Sequence, residues 1–103
     1  MAISVHLMNE FNLDWPVWGG PHGRDRTRPA DWVLTEDLVV RILAWAAFFN
    51  THYDWEEGWD TCEHEREHRI EAQRLRRELQ QELGQDHDVE LRLWECAATR
   101  LIA

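Results

Sequence analysis

The 103-residue chain contains no lysine and a single serine, Ser4. Its only nucleophilic hydroxyl of that type therefore sits in a short alternating segment expected to be a strand, which gives no support to serine-based catalysis. Cysteine is scarce too: Cys62 and Cys96 make at most one bridge, and a chain with its own core does not need one. No run of 18 apolar residues exists, so no membrane-spanning helix is expected. Residues 1–6, Met-Ala-Ile-Ser-Val-His, lack the basic and apolar regions of a secretory leader, and a cytoplasmic location is the expectation. Gly19-Gly20-Pro21-His22-Gly23 is glycine-rich, but it lacks the lysine and the strand-to-helix setting of a phosphate loop. Positive charge is short: 11 basic against 20 acidic residues leave a net charge of −9. Such a balance disfavours direct binding to nucleic acid and suits a partner with a basic surface. An all-arginine basic complement also points to a GC-rich coding genome.

Tryptophan is plentiful. Seven residues, at 15, 18, 32, 45, 55, 59 and 94, give a small protein more indole than its core needs. A chain of this length makes one domain, residues 1–103, burying roughly two-thirds of its unfolded surface.

Residues 2–8 alternate, with Ile3, Val5 and Leu7 on one side, which predicts a half-buried strand. Residues 12–34 hold all three prolines and the Arg24-Asp25-Arg26-Thr27-Arg28 cluster, and read as a long irregular segment in which 15–18 offers a short edge strand. The arginine cluster reads as a solvated loop. Thr35 is a good N-cap, with Glu36 and Asp37 favouring the positive end of a helix dipole. From Leu38 to Phe49 only Arg41 is charged, which predicts a helix buried all round at the centre of the core. Asp60 and Glu63 form a capping arrangement for a second helix with the stripe Ala72, Leu75, Leu79 and Leu83, ending at Gly84. Residues 88–95 alternate again, with Val89, Leu91 and Leu93 inward. Residues 97–102 offer either a further strand or a helical turn.

The expected fold is α+β: a small antiparallel sheet covered on one face by an antiparallel two-helix hairpin, in the order β-loop-α-α-β. Each helix reverses the chain, so the two terminal strands are expected to pair antiparallel. A third strand from 15–18 or 97–102, or a dimer, would complete the sheet.

One catalytic pattern is present. His64-Glu65-Arg66-Glu67-His68 matches H-E-x-x-H, in which two histidines one helical turn apart hold zinc and the glutamate is general base. The extended form is absent, since position 71 is Glu and position 74 is Arg. A third ligand would have to be Glu82 or Glu90, with nothing to single out either. Cys62 could join a non-catalytic metal site only from outside the helix. The run Asp54, Glu56, Glu57, Asp60, Glu63, Glu65, Glu67, Glu71 makes a chance match easy. The leucine stripe, extended backward, reaches His68 and His64, which predicts that both pack at the core edge. No catalytic residue, metal or cofactor is therefore assigned.

The favoured function is a non-enzymatic, acidic protein-interaction module of the immunity, inhibitor or adaptor kind. Trp15, Trp18 and Trp32 in the loop, with Glu56, Glu57, Glu63 and Glu67, would meet a basic partner. Trp94 is a further surface candidate, whereas Trp45 is expected in the core and Trp55 and Trp59 against the helix–helix turn. The bland alternative has the loop folding back so that its indoles seal the second face of the sheet. The rival functions are a zinc-dependent hydrolase using 64–68 and a homodimeric scaffold. Trp15-Pro16-Val17-Trp18, Leu38 to Trp45 with Phe49, Gly58-Trp59 and Glu82-Leu83-Gly84 resemble a group of small uncharacterised proteins of high-GC actinobacteria and their phages. That resemblance implies a bacterial cytoplasmic protein and brings no activity.

Overall fold

The computed structural model describes residues 2–96; the expectation for 97–102 lies outside the described residues. Among the described residues, six strands and two α-helices follow in order: β1 (Ile3–Met8), β2 (Val17–Gly19), β3 (Asp25–Arg26), α1 (Glu36–His52), β4 (Tyr53–Asp54), β5 (Gly58–Trp59), α2 (Cys62–Leu83) and β6 (His87–Arg92). A four-stranded sheet has the order β3-β2-β1-β6, and β4 and β5 form a separate hairpin. The class is α+β, with the two helices packed against one face of the sheet.

The sheet is mixed rather than antiparallel. β1 and β6 run parallel, from Ile3 opposite His87 to Met8 opposite Arg92. The expected antiparallel pairing counted two reversals, one per helix. It missed three passes inside the loop: β2 and β3 each reverse the chain, and residues 27–35 return it to the end where Thr35 meets Glu82. An odd number of added passes turns the last strand over. β2 is also an inner strand, and the short edge strand is β3.

Caps behave as side-chain chemistry requires. Thr35 accepts from the Leu38 N–H. Thr61, not Asp60, caps α2 by accepting from the His64 N–H, which leaves the Asp60 carboxylate for other partners. Gly84 ends α2 at φ 86°, a left-handed conformation that favours glycine.

The core gathers Val5, Leu7, Val17 and Val89 from the sheet, Leu38, Ile42 and Trp45 from α1, and Ala72, Leu75 and Leu79 from α2. Helix α1 is not buried all round, because Val40 is 57% exposed and Ala44 and Ala47 face solvent. The second face of the sheet carries the opposite parity, His6 beside Trp18 and Glu90. Arg41 bridges the two helices by donating to Glu78 at 2.6 and 2.7 Å and to Glu71 at 3.2 and 3.3 Å. These bonds, Glu78's foremost, push its pKa further up.

Candidate functional site

The end of the molecule where α1 stops and α2 begins concentrates exposed acid and aromatic surface. Its frame is the β4–β5 hairpin, in which Tyr53 pairs with Trp59 and Asp54 with Gly58. The Asp54 carboxylate accepts from the backbone N–H groups of Glu56 and Glu57, both at 3.0 Å, which folds the tip into a tight turn. Gly58 takes φ 80° to close it. Behind the tip lies an aromatic cluster. Tyr53 stacks on Phe49 with centroids 5.3 Å apart, and Phe11, Trp59 and Trp94 pack around them. The indole of Trp59 donates to the Glu95 carbonyl oxygen at 2.9 Å. The hairpin is thus a braced platform, and it presents Trp55 at 73% exposure between Asp54 and Glu56-Glu57. Glu63 and Glu67 continue the exposed acidic surface on α2.

The loop tryptophans take other roles. Trp15 is 8% exposed and belongs to the core, so it is not a presented contact. Trp32 packs partly buried against that core, and the indoles of Trp15 and Trp32 both donate to the Thr27 hydroxyl, at 3.2 and 2.8 Å. Trp18 is partly buried on the sheet's second face and donates to the Met8 carbonyl at 2.9 Å. The loop does fold back, but of its indoles only Trp18 lies on the sheet's second face; Trp15 and Trp32 join the core instead. Trp94 keeps 37% exposure, and Trp45 is core. Trp55 was expected against the helix turn, and this correction moves it to the surface. Its neighbours were the available signal: Asp54, Glu56 and Glu57 leave no apolar pattern for its burial.

The two histidines of H-E-x-x-H do not converge on a common site. His68 is fully buried, stacked on Trp45 at a centroid distance of 4.6 Å and an interplanar angle of 7°. Its Nε2 lies 2.7 Å from the buried Glu95 carboxylate, and the Asn9 amide nitrogen is 3.4 Å from each. Trp45 donates to the His68 carbonyl oxygen at 3.0 Å and Trp94 to that of Asn9 at 2.9 Å. Among the described residues, Asn9 Oδ1, His68 Nδ1 and Glu95 Oε1 have no hydrogen-bond partner. The candidate third ligands are engaged elsewhere, Glu82 with Thr35 and Glu90 with His6 and Arg92.

His64 turns instead to Asp60. Its Nδ1 and that of His52 each lie 2.7 Å from a different oxygen of the Asp60 carboxylate. Hydrogen bonds from His64 first, and then His52, lower the Asp60 pKa to about 2.

What results is a small α+β domain with a hydrogen-bonded, acidic, aromatic-tipped end and two pattern histidines turned to different carboxylates. Over residues 3–92 the chain matches the family described as Serratia CdiI immunity protein-like, and it belongs to that family. It is thereby a protein-interaction module of the immunity class. No curated protein matches the chain.

Proposed function

We propose that the chain is an immunity protein that binds a single toxin domain and holds it inactive in the cytoplasm of the producing cell. The family match over residues 3–92 carries this reading. The hairpin surface gives it a mechanism. Exposed tryptophan on a rigid support is the side chain most often found at interface hot spots, because it buries a large area at little conformational cost. Asp54, Glu56, Glu57, Glu63 and Glu67 surround it with negative charge in a chain of net charge −9. That field would speed encounter with a basic surface, such as one shaped to hold nucleic-acid phosphates, and would set orientation on arrival. Binding and blocking need no chemistry from the immunity protein, so it acts without turnover.

The test is to co-express the chain with a candidate toxin domain taken from the neighbourhood of its gene. The reading expects restored growth and a complex that co-purifies, with association slowing as salt rises. Unrelieved toxicity and no complex at low salt would end it.

A further inference from the structure

We propose that His52, Asp60 and His64 form a binding site for one divalent transition-metal ion of the zinc class, a function separate from partner binding. The three side chains come from three places in the chain: the last turn of α1, the link after β5, and the first turn of α2. Their donor atoms all lie within 4.8 Å of one another. Ligands held about 2.0–2.1 Å from a tetrahedral ion sit roughly 3.3–3.5 Å apart, so small rotations suffice to close around one. Two imidazole nitrogens and a carboxylate are the donor set that borderline divalent ions select, with a fourth position left to water.

The surroundings hold the set in place. The rings of His52 and His64 are 4.0 Å apart. Phe48 packs on both, at 4.5 and 5.4 Å. The Asp60 backbone N–H donates to the His52 carbonyl oxygen at 3.0 Å, tying the link to the end of α1. The dipoles of the two helix ends oppose each other here: the α1 C-terminus favours a cation and the α2 N-terminus disfavours it. The acidic hairpin beside them decides the local field in the cation's favour. A bound ion would pin the end of α1 to the start of α2 and stiffen the base of the hairpin. His64 is the one residue shared with H-E-x-x-H, so that pattern marks a metal ligand for a reason unrelated to its spacing.

Calorimetric titration of the tag-free, chelator-treated protein with Zn2+ tests this, with visible absorption of added Co2+ as a second readout. One ion per chain is expected. His52→Ala, His64→Ala and Asp60→Asn should each weaken it by at least about tenfold, the usual floor even for groups that only support a ligand. His22→Ala, in an exposed loop, should leave affinity unchanged. Circular dichroism confirms folding, and His52→Gln replaces any alanine variant that fails to fold. The site is overturned if micromolar Zn2+ does not bind stoichiometrically. It is equally overturned if binding survives the His52→Ala/His64→Ala double variant, or is abolished only by replacing the exposed Cys62. These results concern the free protein and stand apart from toxin binding.

Discussion

Replacing His68 by leucine should remove a large part of the protein's stability, and replacing Glu95 as well should restore some of it. Both side chains have zero exposure and meet at 2.7 Å. In the single variant His68→Leu, the buried carboxylate keeps only the Asn9 amide at 3.4 Å. Breaking one side of a buried pair costs about 3–5 kcal/mol. Loss of the His68–Trp45 stack adds about 0.5–1.5 kcal/mol. A domain of this size has roughly 5–15 kcal/mol in total, so His68→Leu stands near the edge of folding. Glu95→Met alone leaves His68 Nε2 and the Asn9 amide only each other, at 3.4 Å, and costs up to about 1–3 kcal/mol for each under-satisfied buried group. In the double variant no carboxylate is stranded, and the two volumes are nearly kept. The two single losses should therefore exceed the double loss by at least about 2 kcal/mol. Urea unfolding followed by tryptophan fluorescence measures all four proteins, Trp45 reporting directly on the pair. Additivity within about 0.5 kcal/mol would refute the reasoning, because the two groups would then not depend on each other.

Asp60 has a lowered folded pKa, about 2 against an ordinary 3.8, so its contribution is complete above pH 3.8 and lost as pH falls toward 2. Urea midpoints of wild type and Asp60→Asn should thus differ at neutral pH and converge near pH 2; a constant gap would contradict this. Arg41→Lys should cost less than about 1 kcal/mol, since the bridge to Glu71 and Glu78 is partly exposed, and the loss should shrink in high salt. Gly84→Ala has open space but φ 86°, whereas Gly20→Ala has φ 79° and drives its Cβ into the Asp25 side chain. Alanine should cost about 1–2 kcal/mol at Gly84 and more at Gly20, and equal melting shifts would contradict the steric part.

β1, α1, α2 and β6 were legible because each rests on a local rule, whereas the two-residue strands β3, β4 and β5 carry no alternation and read as loop and turn. Thr35, Gly84 and the alternations around Val5 and Val89 mark their own boundaries. The parallel pairing of β1 and β6 was not, because it depends on three passes hidden in a proline-rich segment with little periodicity. The buried triad was half-visible. Asn9 continues the parity of Val5 and Leu7, Glu95 that of Leu91 and Leu93, and His68 the stripe of Leu75 and Ala72. Three polar residues in apolar register are a signal, but only the fold shows that they meet. The His52–Asp60–His64 cluster had no signal, since α1 and α2 must pack before these side chains approach. Among the tryptophans, counting could not separate surface from core. Thr27 decided the fate of Trp15 and Trp32 by offering both indoles one hydroxyl.

The affinity of Trp55→Ala for the toxin domain tests the central claim most directly. The account predicts a loss of at least about 2 kcal/mol, some thirtyfold in Kd and mostly in dissociation rate, with Glu56→Gln/Glu57→Gln slowing association instead. An unchanged Kd for Trp55→Ala, in a complex that still forms, would place the interface elsewhere and contradict it.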